Sequence, residues 1–99
     1  MNEYDRFFKE LKEKGTSKMR AFGQSMRPKI QSGSLLTYET AVSYEVGDIV
    51  FCKVKGNYIR AHIITQKDGD RYMISNNHGR QNGWTRQVYA KVVAIEPPT

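Results

Sequence analysis

Gly23-Gln24-Ser25-Met26-Arg27-Pro28-Lys29-Ile30-Gln31-Ser32-Gly33-Ser34-Leu35-Leu36 interrupts a chain that otherwise reads as short strands. From Gly23 to Gly33 it shows neither the three-and-four apolar spacing of a helix nor the alternation of a strand. It is too long for a hairpin turn, and so is Asn76 to Trp84. Loops of this length on a rigid scaffold are where function concentrates.

Outward from that loop the pattern is β. Runs rich in Val, Ile, Tyr and Phe alternate with Gly, Asn and Asp clusters. Strands are expected near Lys18 to Phe22, Ser34 to Glu39, Asp48 to Lys53, Tyr58 to Gln66, Arg71 to Ser75 and Val88 to Ile95. Lys55-Gly56-Asn57 and Asp68-Gly69-Asp70 are expected as hairpin turns, because Gly and Asn accept the positive φ of tight turns. The strands around them should therefore pair antiparallel.

The start of the chain is different. Tyr4, Phe7, Phe8 and Leu11 lie three and four apart, which puts them on one face of a helix over residues 2 to 14. Glu3 and Asp5 sit in its first turn, Lys12 and Lys14 in its last, and Gly15 supplies a left-handed stop. A helix this short is marginal in water, so its aromatic face must dock on the domain or on a partner, and an oligomer formed through this helix is one expectation. The organisation predicted is an N-terminal helix over 1–16, a β domain over 17–96 and a tail over 97–99.

Length and composition bound the function. Ninety-nine residues suffice for one small domain. The single cysteine, Cys52, cannot form an internal disulfide, and within Ile49 to Val54 it reads as a packed apolar side chain. No apolar stretch approaches the ~20 residues that span a bilayer, and Met1-Asn2-Glu3-Tyr4-Asp5 lacks the plan of an export signal. A soluble, cytoplasmic protein with no membrane anchor is expected. The net charge of +6 invites nucleic-acid binding, but the basic residues are scattered, with no run of five. Tyr58, Arg60, Tyr72 and Lys91 are the face that such binding would use. His62, His78 and Cys52 lack the close paired spacing of a zinc site, and no phosphate-cradling loop precedes a helix. Neither metal nor cofactor is expected.

The Gly23 loop resembles the signature of the signal peptidase I and LexA-like serine peptidases, a G-x-S-M-x-P segment followed by an apolar residue and G-D or G-S before a strand. Val46-Gly47-Asp48-Ile49-Val50-Phe51 resembles their second box, and order and spacing agree. The resemblance covers roughly residues 18 to 95 and implies a compact, mostly β (α+β) fold of short antiparallel strands behind one amphipathic helix. It also implies Ser25 as nucleophile. A serine hydroxyl needs a neighbouring base, an exposed position and N–H donors aimed at the developing oxyanion. Gly23 allows close backbone approach, Met26 offers an apolar anchor and Pro28 stiffens the exit. Read alone, Gly-Gln-Ser-Met is a simple turn, and the flanking boxes are what point to a nucleophile.

Family members carry the base, a Lys or a His, on a later strand. His62, in Tyr58-Ile59-Arg60-Ala61-His62-Ile63, stands where the His of endoplasmic-reticulum-type and archaeal signal peptidases falls, with Ile63 replacing the usual Arg. A neutral imidazole can take a hydroxyl proton near pH 7, although a His among apolar strand residues is otherwise a structural one. The third position departs from the family. Ser75-Asn76-Asn77-His78-Gly79 replaces a G-D-N-N segment, and Asn77 falls nearest the expected Asp. Its carbonyl can hold a His ring in the useful tautomer but cannot stabilise an imidazolium as a carboxylate does.

The Asn76 to Trp84 segment resembles a loop in small phage and bacterial relatives. Asn76, Asn77, His78 and Trp84 are candidates for a polar recognition wall near Ser25, with Gly23, Gln24 and Met26 opposite. A loop held by its own amide side chains is the other reading, and in either case Trp84 is expected buried with its indole N–H bonded. Three functions compete: a serine endopeptidase-like protein taking peptide or protein substrates as an added strand, a non-catalytic binding module for a peptide, small ligand or protein partner, and a nucleic-acid-binding barrel. A LexA-like self-cleaving switch fits less well, because no Ala-Gly cleavage motif appears.

Overall fold

The computed structural model describes residues 2–99; Met1, the first residue of the expected helical segment, lies outside them. Helix α1 spans Glu3–Lys14. Asn2 caps it by accepting the Asp5 N–H at 2.8 Å, which satisfies one of the donors that every helix start leaves open. Gly15 ends it at φ +76°, its N–H bonded to the Leu11 carbonyl, a conformation that costs other residues a clash at Cβ.

Seven strands come after it: β1 (Thr16–Ala21), β2 (Ser34–Glu39), β3 (Ile49–Val54), β4 (Asn57–Asp68), β5 (Arg71–Ser75), β6 (Gln81–Thr85) and β7 (Val88–Glu96). They form one antiparallel sheet in the order β1-β2-β7-β3-β4-β5-β6. The domain is mostly β, as expected. The turn between β3 and β4 is one residue shorter than the sequence suggests. Val54 pairs with Asn57, so the turn is Lys55-Gly56, both at positive φ, the conformation that a two-residue connection of right-twisted strands demands.

The sheet curls. Thr85 Oγ1 donates to the Lys53 carbonyl at 2.6 Å and Lys53 N–H donates to the Gln87 carbonyl at 2.9 Å, so the end of β6 folds back against β3. Phe7 of α1 is fully buried within the curl, 4.7 Å from the Phe51 ring and 5.2 Å from Tyr38. Leu11, Met19, Met26, Ile30 and Leu36 complete that core, while Val50, Cys52, Ile64, Tyr72 and Ile74 form a second one. The helix is thus part of the one packed unit. Burial pushes the Cys52 thiol up to about 12, which leaves it without the thiolate character of a nucleophile.

Two expectations fail here. The segment read as one loop from Asn76 to Trp84 contains β6. Gln81, Asn82 and Gly83 are poor strand formers, yet ladder bonds to β5 impose the strand, and Asn76 closes the hairpin by accepting the His78 and Arg80 N–H groups, each at 2.9 Å. Trp84, expected to be buried, is 38% exposed. On an edge strand alternate residues face opposite sides, and Thr85 takes the inward one. Trp84 lies outside, with the Arg71 guanidinium 5.1 Å from its ring centre.

Candidate functional site

The Gly23 loop leaves β1 and is held from both sides. Met26 and Ile30, each 3% exposed, anchor it in the core, and the Ile30 N–H bonds the Met26 carbonyl at 3.0 Å. Ser25 sits between the exposed Gln24 and the buried Met26, itself half-buried. Gly23, at φ +110°, donates its N–H to Ser32 Oγ at 3.0 Å, tying the two ends of the loop.

The facing wall is β4. Val50 pairs with His62 and Cys52 with Ile59, so Phe51 alone opposes both Arg60 and Ala61. This bulge bends β4 and re-aims the side chains beyond it. His62 Nε2 then lies 3.1 Å from Ser25 Oγ, and His62 Nδ1 lies 2.6 Å from Asn82 Oδ1. With an amide oxygen on Nδ1, that nitrogen carries the hydrogen and Nε2 turns its lone pair to the serine hydroxyl. Burial lowers the His62 pKa, and the Asn82 hydrogen bond opposes the shift. The ring is therefore neutral at pH 7.

The residue on the imidazole is Asn82, not Asn77. The Asn77 side chain donates instead to the Arg27 carbonyl at 2.9 Å, and its backbone N–H donates to the Ser25 carbonyl at 2.9 Å. His78 Nε2 bonds the Gln24 carbonyl at 3.1 Å. Asn77 and His78 thus brace the Ser25 loop from outside. Asn76 shapes its own hairpin, Gln24 holds the Arg27 side chain, and Trp84 faces away under Arg71, so no continuous polar wall forms. Asn82 escaped the sequence reading because its strand did. The one local signal was Asn82-Gly83 two residues before an edge-strand threonine, which alone points to a turn.

A cleft of about 290 Å³ opens beside Ser25. Ala21, Gly23 and Met26 line one side; Tyr58, Arg60 and His62 line the other. Neither rim is paired with a further strand. β1 ends the sheet order, and β4 pairs with β5 only from Ile63 onward. Arg60 spans the cleft. Its Nη1 donates to the Arg20 carbonyl at 2.9 Å and its Nη2 to Glu3 Oε2 at 2.8 Å, while its own carbonyl accepts the Tyr38 hydroxyl.

The Peptidase S24-like family model matches residues 2–93, nearly the whole of this fold. The chain belongs to the Peptidase S24-like family. The match includes α1. No curated protein is similar enough to match it. Among the described residues of this S24-like chain, no helix is long and apolar enough to cross a membrane.

Proposed function

We propose that this S24-like protein is a serine endopeptidase in which Ser25 is the nucleophile, His62 the general base and Asn82 the residue that orients it. The observation that carries the reading is the hydrogen-bonded chain from Ser25 Oγ through His62 to Asn82. Its distances lie within the reach that proton transfer requires before substrate arrives. An extended peptide would lie in the cleft and pair with the open edges of β1 and β4.

In the first step Ser25 Oγ attacks the scissile carbonyl carbon while its proton passes to His62 Nε2. A backbone N–H of the Gly23 loop beside Ser25 would meet the developing oxyanion. The C–N bond then breaks as His62 gives its proton to the leaving amine, leaving an acyl-serine. Water attacks that ester, His62 takes the water proton and returns it to Ser25 Oγ, and the acid product departs. Asn82 keeps the hydrogen on Nδ1 throughout, but it supplies no charge to the transient imidazolium. The expected rate is accordingly modest.

The test is covalent labelling by a fluorophosphonate. Ser25→Ala and His62→Ala should each abolish it with thermal unfolding nearly unchanged, because both side chains serve proton transfer and act as a unit. Wild-type protein that resists the probe under conditions where it is folded overturns the reading.

A further inference from the structure

The cleft beside Ser25 is lined by apolar and uncharged side chains with one exception. Among the described residues Arg60 is its only charged lining group. It sits two residues before His62 on β4, close to where the scissile bond would lie. Its guanidinium donates to three oxygens, the Arg20 carbonyl on the rim of β1, the Glu3 carboxylate on α1 and, from Nε at 3.4 Å, the Tyr4 hydroxyl. The Glu3 side chain is 43% exposed, and an exposed ion pair of this kind is weak and exchangeable. The Arg20 carbonyl belongs to the edge that an incoming strand would use. A peptide entering the cleft therefore meets a planar cation whose present partners are one strand carbonyl, one carboxylate and the Tyr4 hydroxyl.

We infer that Arg60 is a specificity-determining residue that selects peptides carrying an acidic side chain about two residues from the scissile bond, with Glu3 standing in for that carboxylate in the unoccupied cleft. The proposal rests on the peptide-binding reading of the site. The chemistry is that of a fork of N–H donors, which matches a carboxylate better than any neutral group. Side chains two apart on an extended peptide point to the same face, so a group near Arg60 and the residue at Ser25 can be read together. The net charge of +6 adds a long-range attraction of the same sign.

The experiment scans Glu, Gln and Lys through the residues flanking the scissile bond of a fluorogenic peptide. Cleavage by the wild type and binding to the Ser25→Ala protein are both measured. Glu at one position should be preferred over Gln by about tenfold in both measurements. Arg60→Gln should erase that preference while Ser25 still reacts with the fluorophosphonate. Glu3→Gln, which removes the competing carboxylate and leaves the cleft intact, should tighten binding of the Glu peptide severalfold and leave the Gln peptide unmoved. It also decides the matter if Arg60→Gln does not fold. Cleavage with no acidic preference, or an unchanged response in Glu3→Gln, overturns the inference and leaves the peptidase reading standing. Acidic-selective binding without cleavage overturns the peptidase reading and leaves the inference standing.

Discussion

His62 has two uncharged partners, and that fixes how it should respond to pH and to substitution. Its pKa in the folded protein is lowered by burial from the ordinary 6.5. The base is therefore unprotonated, and fluorophosphonate labelling should rise to its plateau through a midpoint below 6.5. The same shift has a stability consequence. Below about 6.5 the unfolded chain binds the proton more readily than the native one, so the His62 contribution is present above that pH and is lost as pH falls through the folded value. Asn82→Asp should raise the midpoint, because a carboxylate favours the imidazolium, and should raise plateau labelling about tenfold or more. An Asn82→Asp midpoint equal to the wild type's would remove Asn82 from its assigned role. Ser25 and His62 were legible in the sequence because each stands in a local motif. Asn82 was not, since its place depends on a strand that only pairing with β5 creates, and Asn77, one loop earlier, lay nearest in the sequence to the expected position.

At the scale of elements, α1 shows how far periodicity reaches. The spacing of Tyr4, Phe7, Phe8 and Leu11 identified the helix and its inward face, and the caps at Asn2 and Gly15 bound it within a residue or so. The strands that end in Gly-rich turns were equally readable. β6 was unreadable because three of its five residues, Gln81, Asn82 and Gly83, are poor strand formers; an edge strand with few inward residues is specified by its neighbour rather than by itself. Packing of α1 gives a further expectation. Phe7 touches Phe8, Tyr38 and Phe51, so Phe7→Ala should cost about 3–5 kcal/mol, read as a lower midpoint in urea at unchanged slope. A loss under about 1 kcal/mol would mean that the helix is an appendage rather than part of the core.

For the whole molecule, the helix packs into the first of the sheet's two cores, whereas Trp84, the only tryptophan, lies on the edge strand β6 at the far end of the sheet order. Helical circular dichroism and Trp84 fluorescence should therefore report one coincident unfolding transition. Separate midpoints would show that β6 opens on its own. The curl itself was out of reach of the sequence, since it depends on contacts such as Thr85 with Lys53 that no local pattern encodes. Its consequence is one of timing. Ser25 and His62 are 37 residues apart in the chain, and Asn82 lies another 20 beyond. During synthesis Ser25 and His62 leave the ribosome well before the strand that carries Asn82. A nascent chain therefore exposes Ser25 and His62 before Asn82 exists to meet them, and the proposed hydrogen-bonded chain is complete only after the hairpin of β5 and β6 has closed.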